Sequence, residues 1–558
     1  MKLIECVPNF SEGNNKDIID QIVSQISSIK GIKLLDVDPG KDTNRTVVTF
    51  AGHPEDVIQA AFLAISKASK LIDMSHHHGA HARMGATDVC PLIPISGVTV
   101  DECIEYSKKL AKKVGEKLNI PVFMYEKSAT SKNRQNLAII RQGEYEGMSD
   151  KLKLKEWKPD YGPTELNIKS GVTAIGVREF LIAYNINLNT SDKKIASDIA
   201  LDIREAGRAK RDKDGKIIRD NKGVMIKVPG TLKHVKAVGW FLEEYNIAQV
   251  SMNLIDYKST PVHQVFEEVR NQAQKRGLRV TGSELVGLIP LDSLIEAGLY
   301  YLKKQNKSQG VSEKQLIHIA VKSMGLDEMY DFNSNEKVID YMIDESNKLI
   351  NYSLSNFADE LSSDSPAPGG GSVSALAGSM SASLSSMVAN LSIGKKDFIK
   401  QNKKINQIAC DAQVLKKDLL FLVDEDTKAF DMLMAAFRLP KKTDEDKSYR
   451  QSQILKMSKH VTDIPFQTLK KSKELMDLSN STLDIGNKNC ISDAGAASEM
   501  AYSCAYGAYY NVKINLIDLK EEKVFYSKTK KESEKIISDL DKQITKIRSK
   551  VLKVLNNG

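Results

Sequence analysis

The spacing of apolar residues changes once along this chain, and that change bounds what it can fold into. Up to Tyr330, β-branched runs alternate with helical periods. Beyond the polar stretch Asp331–Asn335 the strand-like runs vanish, and apolar residues recur every three or four positions to the C-terminus. Period two buries one face of a sheet, whereas period 3.6 buries one stripe of a helix. An α/β part followed by an all-α helical bundle is therefore expected. The chain has 558 residues, too many for one compact core, and about three or four units are expected from that length.

Within the first part, Lys2–Val7, Lys33–Val37, Arg45–Phe50, Asp88–Ile95 and Val122–Tyr125 read as strands. Asn15–Ser28, Glu55–Ile72 and Val100–Leu118 read as helices. The order β-α-β-β-α-β then recurs in Phe180–Leu188, Asp192–Glu205, Val235–Trp240, Ala248–Ile255, Pro261–Arg276 and a strand starting at Leu278. This predicts two ferredoxin-like βαββαβ-type subdomains, 1–179 and 180–330, with a ligand groove between them. Residues 331–338 read as a linker and 339–558 as the helical domain. The charged stretch Arg204–Lys233 reads as a solvated loop or hairpin around Asp214 and Gly215.

Composition narrows the function. Hydrophobic residues make up 41% and charged residues 27%, which is ordinary for a globular protein. The longest uncharged stretch, Ser365–Gly394, is mostly Ser, Ala and Gly. It is too poor in large apolar residues for a membrane span. The first ten residues carry Glu5 and Pro8 and no long apolar run, so no secretory leader is expected. The six cysteines form no CxxC pair and no disulfide framework, which fits a reducing, cytoplasmic setting. A net charge of +8 is mild for this length and comes with no nucleic-acid-binding signature, but suits an acidic small molecule.

Four segments carry candidate chemistry. His76, His77, His78 and His81 lie between a helix and a strand, beside Gly79 and Gly85. Zinc binding by His77 and His81, plain packing, and general-base catalysis by one histidine all fit this pattern. Asp36 and Asp38 share one face of a strand. The segment Gly162–Gly171 precedes a strand and reads either as an ordered loop over a pocket or as an interdomain crossover. Pro366 to Ser372, with three glycines, leads into a helix whose N-terminus can hold an anion. On that helix Leu376, Met380, Met387 and Leu391 share a stripe, while small residues permit close packing. In Val414–Phe437 the apolar stripe has one gap, filled by Asp426. A carboxylate there is paired, protonated or functional. Asp424 and Glu425 lie off the stripe and are expected to face solvent. Ser492 or Asp493 is expected to cap a later helix.

In combination these segments resemble the bifunctional formimidoyltransferase-cyclodeaminase family over nearly the whole chain. Glu5–Gly13, Leu35–Asp38, Thr43–Thr46, Asp88–Pro91 and Phe180–Ala183 are similar to its transferase part. Ala367–Val373 and Arg438–Pro440 are similar to its deaminase part. The resemblance implies transfer of a formimino group from N-formimino-L-glutamate to N5 of tetrahydrofolate. Cyclisation to 5,10-methenyltetrahydrofolate then releases ammonia, as a late step of histidine breakdown. Carried over by position, the transferase histidine falls on His81 and the deaminase aspartate on Asp426. The folate-contacting loop falls on Gly162, Pro163, Thr164, Glu165, Leu166, Asn167, Ile168, Lys169, Ser170 and Gly171. On this reading Arg45 and Arg83 hold substrate carboxylates, and Asp38 is a further folate contact. Gly369, Gly370, Gly371 and Ser372 lie against the pterin. Folate, polyglutamylated or not, is the co-substrate. The resemblance implies that no metal, nucleic acid or membrane takes part, and that the chain forms a dimer-based homo-oligomer such as an octamer. The rival expectation is a deaminase- or cyclohydrolase-only enzyme whose first part binds folate without catalysis.

Overall fold

In the computed structural model, residues 2–41, 43–79, 82–221, 223–243, 245–343, 348–485 and 487–556 are described. They divide into two compact units: residues 1–294 with 324–344, and 295–323 with 345–558.

The first unit begins with β1 (Leu3–Cys6), β2 (Asn9–Phe10), α1 (Lys16–Ser27), β3 (Lys33–Gly40), β4 (Arg45–Gly52), α2 (Pro54–Leu71), β5 (Thr87–Ser96), α3 (Val100–Leu118) and β6 (Val122–Glu126). Two short helices, α4 (Leu137–Ile140) and α5 (Glu144–Lys151), lead to β7 (Thr173–Val177). β3 pairs with β4, β4 with β1, and β1 with β5, all antiparallel. β7 then adds parallel to β5, and β6 parallel to β7. The ferredoxin-like order is present but widened to seven strands. Strand alternation sorts the side chains by face. Ile4, Cys6, Val48, Phe50, Cys90 and Leu92 pack against the helices, while Glu5, Asp36, Asp38, Arg45 and Thr49 point away from them into an open groove.

The second subdomain holds β8 (Ile182–Leu188), α6 (Lys193–Ile203), β9 (Arg208–Ala209), β10 (Lys227–Val228), β11 (Val235–Leu242), β12 (Ile247–Leu254), α7 (Val262–Lys275) and β13 (Val280–Val286). Its sheet order is β11-β12-β8-β13, all antiparallel. This matches β3-β4-β1-β5 strand for strand. Within the charged stretch 204–233, β9 and β10 pair antiparallel, and the chain between them makes two further antiparallel bridges, Arg211 with Ile217 and Arg219 with Met225.

The chain leaves this unit within α8 (Leu291–Lys304) and returns at the end of α9 (Glu313–Met324). Two short helices follow, α10 (Ser334–Lys337) and α11 (Ile339–Ile343). Residues 331–338 are folded onto the first unit: Val338 is buried and bridges to Ile289 in parallel.

The helical unit contains α12 (Leu354–Leu361), α13 (Gly370–Ser392), α14 (Asn402–Phe437), α15 (Asp444–Ile485), α16 (Ile491–Leu516) and α17 (Lys523–Asn556). Small residues decide the packing of α13. Its buried face is Ser372, Ala375, Gly378, Ser381, Ala382, Ser385, Ala389 and others of that size. A Cβ on Gly378 would stand 2.8 Å from Cys504 and 3.1 Å from Leu419, so the helices approach nearly to backbone contact. Met380, Met387 and Leu391 share the opposite, exposed face. α16 starts at Ile491, and Cys490 supplies no side-chain cap, so the expected cap at Ser492 or Asp493 falls inside the helix. Leu419 is fully buried in this core. Leu419→Ala should destabilise the chain by about 2–5 kcal/mol, seen as a lower urea midpoint of far-UV ellipticity. Val524→Ala, at a site 85% exposed, should stay within about 0.5 kcal/mol of the parent.

Candidate active sites

A groove of about 740 Å³ lies in the first unit, lined by the helix-free faces of both sheets. It is large enough for a folate-sized ligand. At one end Asp88, wholly buried, takes Arg45 Nη1 at 2.7 Å, a guanidinium N–H of Arg141, and the backbone N–H of Met84 at 3.0 Å. Arg45 also donates through Nε to Asn9 Oδ1 at 3.0 Å. Arg45 thus lines the groove with its guanidinium held by Asp88 and Asn9. Asp36 and Asp38 face the groove together, as their spacing requires. Burial and the neighbouring Asp38 push the Asp36 carboxyl above its ordinary pKa, and Lys337 opposes this.

The histidine segment runs beside this end. His76 is exposed and sits 3.6 Å from Asp73. His77 is buried, with Nε2 3.0 Å from the Asn44 carbonyl, and burial lowers its pKa. His78 is exposed, and its carbonyl accepts from Asn44 Nδ2 at 2.8 Å. Gly79 passes so close to Thr43 that a Cβ would meet its carbonyl oxygen at 2.3 Å. His81 lies outside the described residues. Arg83 does not reach the groove. Its Nη1 donates to Glu144 and Glu146 at 2.9 Å each, and Nη2 to Glu146 at 2.6 Å and to the His77 carbonyl at 3.0 Å. It acts as a strut of the segment rather than a free clamp for a substrate carboxylate.

None of residues 162–171 lines the groove. The loop is sewn to the strand entered after the histidines: Val172 N–H donates to Met84 O at 3.0 Å, and Ala86 N–H to Ser170 O at 2.8 Å. Gly171 has φ +67° and lies against Met84, a backbone that favours glycine. Lys169 is bound to the Lys70 carbonyl, Asn167 to that of Asn119, and Leu166 packs beside Phe123. Ile168 is 69% exposed.

The second constellation forms where the N-terminus of α13 meets α14 and α16. Asp426 is half-buried, and its Oδ2 accepts from Ser372 Oγ at 3.2 Å. The Val423 carbonyl lies 2.9 Å from the same hydroxyl and shares its one proton. A Cβ on Gly371 would fall 2.1 Å from Asp426 Oδ1, so only glycine lets the helix end approach the carboxylate. Burial raises the Asp426 pKa, and hydrogen bonds from the Ser372 side chain and backbone oppose the rise. A carboxylate perturbed by burial beside a specific hydrogen-bond partner is a functional-site candidate. Thr427 and Asn511 complete the surroundings, the latter 3.2 Å from where a Cβ on Gly370 would stand. The expectation for Asp424 is overturned. It is 6% exposed, and its Oδ1 accepts the Leu349 N–H at 2.7 Å, because the segment before α12 packs over that side of α14.

Arg141, Arg178, Lys236 and Asn511 escaped the sequence reading, and Asp88 entered it only as the first residue of a strand and of a family-like segment, with no role. Arg141 and Asn511 reach their sites only through tertiary contacts. Glu5 had a local signal, a carboxylate inside the apolar run Leu3–Cys6.

Three family models match in succession: the formiminotransferase domain N-terminal subdomain over residues 3–178, the formiminotransferase domain over 183–344, and formiminotransferase-cyclodeaminase over 353–535. The formimidoyltransferase-cyclodeaminase of Mus musculus is 40% identical over 531 residues, 95% of each chain. The glutamate formimidoyltransferase of Streptococcus pyogenes is 42% identical over 305 residues, covering 55% of this chain and 95% of its own. The methenyltetrahydrofolate cyclohydrolase of Methylorubrum extorquens is 36% identical over 189 residues, 34% of this chain and 90% of its own. With a transferase fold, a helical unit built around a half-buried aspartate, and end-to-end similarity of this extent, the chain belongs to the formimidoyltransferase-cyclodeaminase family.

Proposed function

We propose that this enzyme handles one carbon twice, with a different proton-bearing side chain each time. In the first reaction N5 of tetrahydrofolate attacks the formimino carbon of N-formimino-L-glutamate. A C–N bond forms to N5, the bond to the glutamate nitrogen breaks, and glutamate leaves. N5 sheds a proton and the departing nitrogen gains one. A neutral His81 imidazole accepts the first and supplies the second. The family resemblance supports His81, as do its fixed flanks: Gly79 is pressed on Thr43, and Met84 is held by Asp88. Asp38 and Arg45 face the substrates from the groove wall, and residues 162–171 brace the catalytic segment against the folate.

In the second reaction N10 attacks the same carbon, the five-membered ring closes, and the nitrogen leaves as ammonia. Asp426 steadies the cationic amidine and carries the proton to the leaving nitrogen. Gly369–Ser372 lie against the pterin. The observation that carries this reading is the Asp426 carboxylate, bonded by Ser372 and roofed by Gly371 at a helix N-terminus. A cyclohydrolase-only reading leaves the first unit without chemistry, although it has a built groove and a relative of its own among glutamate formimidoyltransferases.

Lys127 and Lys236 line the groove and suit the anionic tail of a polyglutamylated folate. The exposed Met380, Met387 and Leu391 face of α13 suits burial between copies of the chain, as a homo-oligomer requires. The six free thiols suit the cytoplasm.

Asp426→Asn should lower ammonia release from supplied 5-formiminotetrahydrofolate by about 10²–10⁴-fold and leave formimino transfer intact. Ammonia release at the parent rate removes Asp426 from the mechanism. His81→Ala should give the mirror image, with transfer lost by a similar factor and deamination of supplied intermediate unchanged. Transfer at the parent rate rules His81 out.

A further inference from the structure

Glu5 occupies the middle of the first strand, paired in register with Ala51 on one side and Ile93 on the other. It is 3% exposed, and that exposure opens on the groove. Among the described residues its carboxyl takes part in no hydrogen bond or ion pair. Burial pushes the carboxyl up to about 7, and the charge of Arg178 on the same wall pulls it back. A buried carboxylate without a partner costs stability and does nothing for packing that a glutamine or leucine would not do better. Structural carboxylates in this unit look different: Asp88 has two arginines and a backbone N–H, and Asp160 has Arg134 and Thr130.

We propose that Glu5 is a substrate-binding residue of the transferase site, its carboxylate receiving the paired N–H donors of a planar N–C–N group. The inference rests on the transfer reaction above. Two molecules in that reaction present such a group. One is the amidinium of N-formimino-L-glutamate, and the other is the aminopyrimidinone edge of tetrahydrofolate. Either offers two parallel N–H bonds to the two carboxylate oxygens, the geometry in which charge-assisted pairs are strongest. Apolar neighbours on both flanking strands strengthen the pairing by keeping water away. Binding then supplies the partner that the folded chain lacks.

The full-length chain carrying Glu5→Gln tests this. The substitution keeps the shape, removes the charge, and turns one acceptor into a donor that faces the ligand's own donors. The melting temperature should equal or exceed the parent's, since an unpaired buried charge has gone. The KM for one of the two substrates should rise by about tenfold or more, as expected for losing a hydrogen-bonded charge. A rise for N-formimino-L-glutamate identifies the amidinium as the partner, and a rise for tetrahydrofolate identifies the pterin edge. Deamination of supplied 5-formiminotetrahydrofolate should not change, which reports that the helical unit is intact. Should Glu5→Gln fail to fold, Glu5→Asp keeps the charge, withdraws it by one methylene, and is read the same way. Parent transfer activity with both KM values within about twofold in the variant overturns the role of Glu5. A parent chain that transfers nothing overturns the transfer reading itself.

Discussion

The Asp88 carboxylate is the interaction on which the transferase unit depends. It sits at the start of β5 with no exposure to water and binds two guanidinium groups and one backbone N–H. Each partner comes from a different piece of chain. Arg45 begins β4, Arg141 follows α4, and Met84 lies in the segment that carries the histidines. Breaking a buried pair of this kind costs about 3–5 kcal/mol because charge is left uncompensated. Its larger effect is geometric. One carboxylate fixes the floor of the groove, one wall, and the backbone just past the histidines, so the site is ordered before any substrate arrives.

The helical unit reaches its site by a different route. Its constraint is distance rather than charge. Gly371, Gly378 and Gly507 each stand where a Cβ would fall 2.8 Å or less from a neighbouring side chain. Most serines of α13 satisfy their hydroxyls within the bundle: Ser381 donates to the Ala497 carbonyl at 2.7 Å and Ser386 to Gly310 at 3.1 Å, whereas the buried Ser385 hydroxyl has no partner among the described residues. Close approach places Asp426 against a helix end with unpaired backbone N–H groups, which offset part of its charge. The same compression leaves Met380, Met387 and Leu391 on the outside.

Regular elements were legible because their periods are local. The helix Val100–Leu118 begins at a capping box between Thr99 and Glu102 and falls where its apolar spacing placed it. β2 and β7 were harder. The first has two residues, too short for a pattern, and the second joins the sheet between β5 and β6 although it comes after both. Asp426 announced itself as a gap in an apolar stripe. Asp424 did not, because the chain that covers it starts 75 residues earlier, and no helical wheel contains that contact. Arg83 misled for a related reason: an arginine beside a histidine cluster resembles a substrate clamp until Glu144 and Glu146 are seen to occupy it. Sequence patterns show which face a residue is on, and tertiary partners decide whether it is still available.

The first unit is discontinuous in the chain, since residues 324–344 return to it after 295–323 have joined the other. During synthesis the ribosome therefore releases an unfinished sheet domain: the Gly325 carbonyl is not yet there to accept the Ser283 N–H, and the Ser283 hydroxyl lacks the Met324 carbonyl that it reaches at 2.7 Å in the finished chain. Completion waits for about thirty further residues to emerge, a delay of a few seconds at ordinary translation speeds. A gene split at the visible change of texture near residue 330 would sever this late-arriving patch from the sheet that it completes.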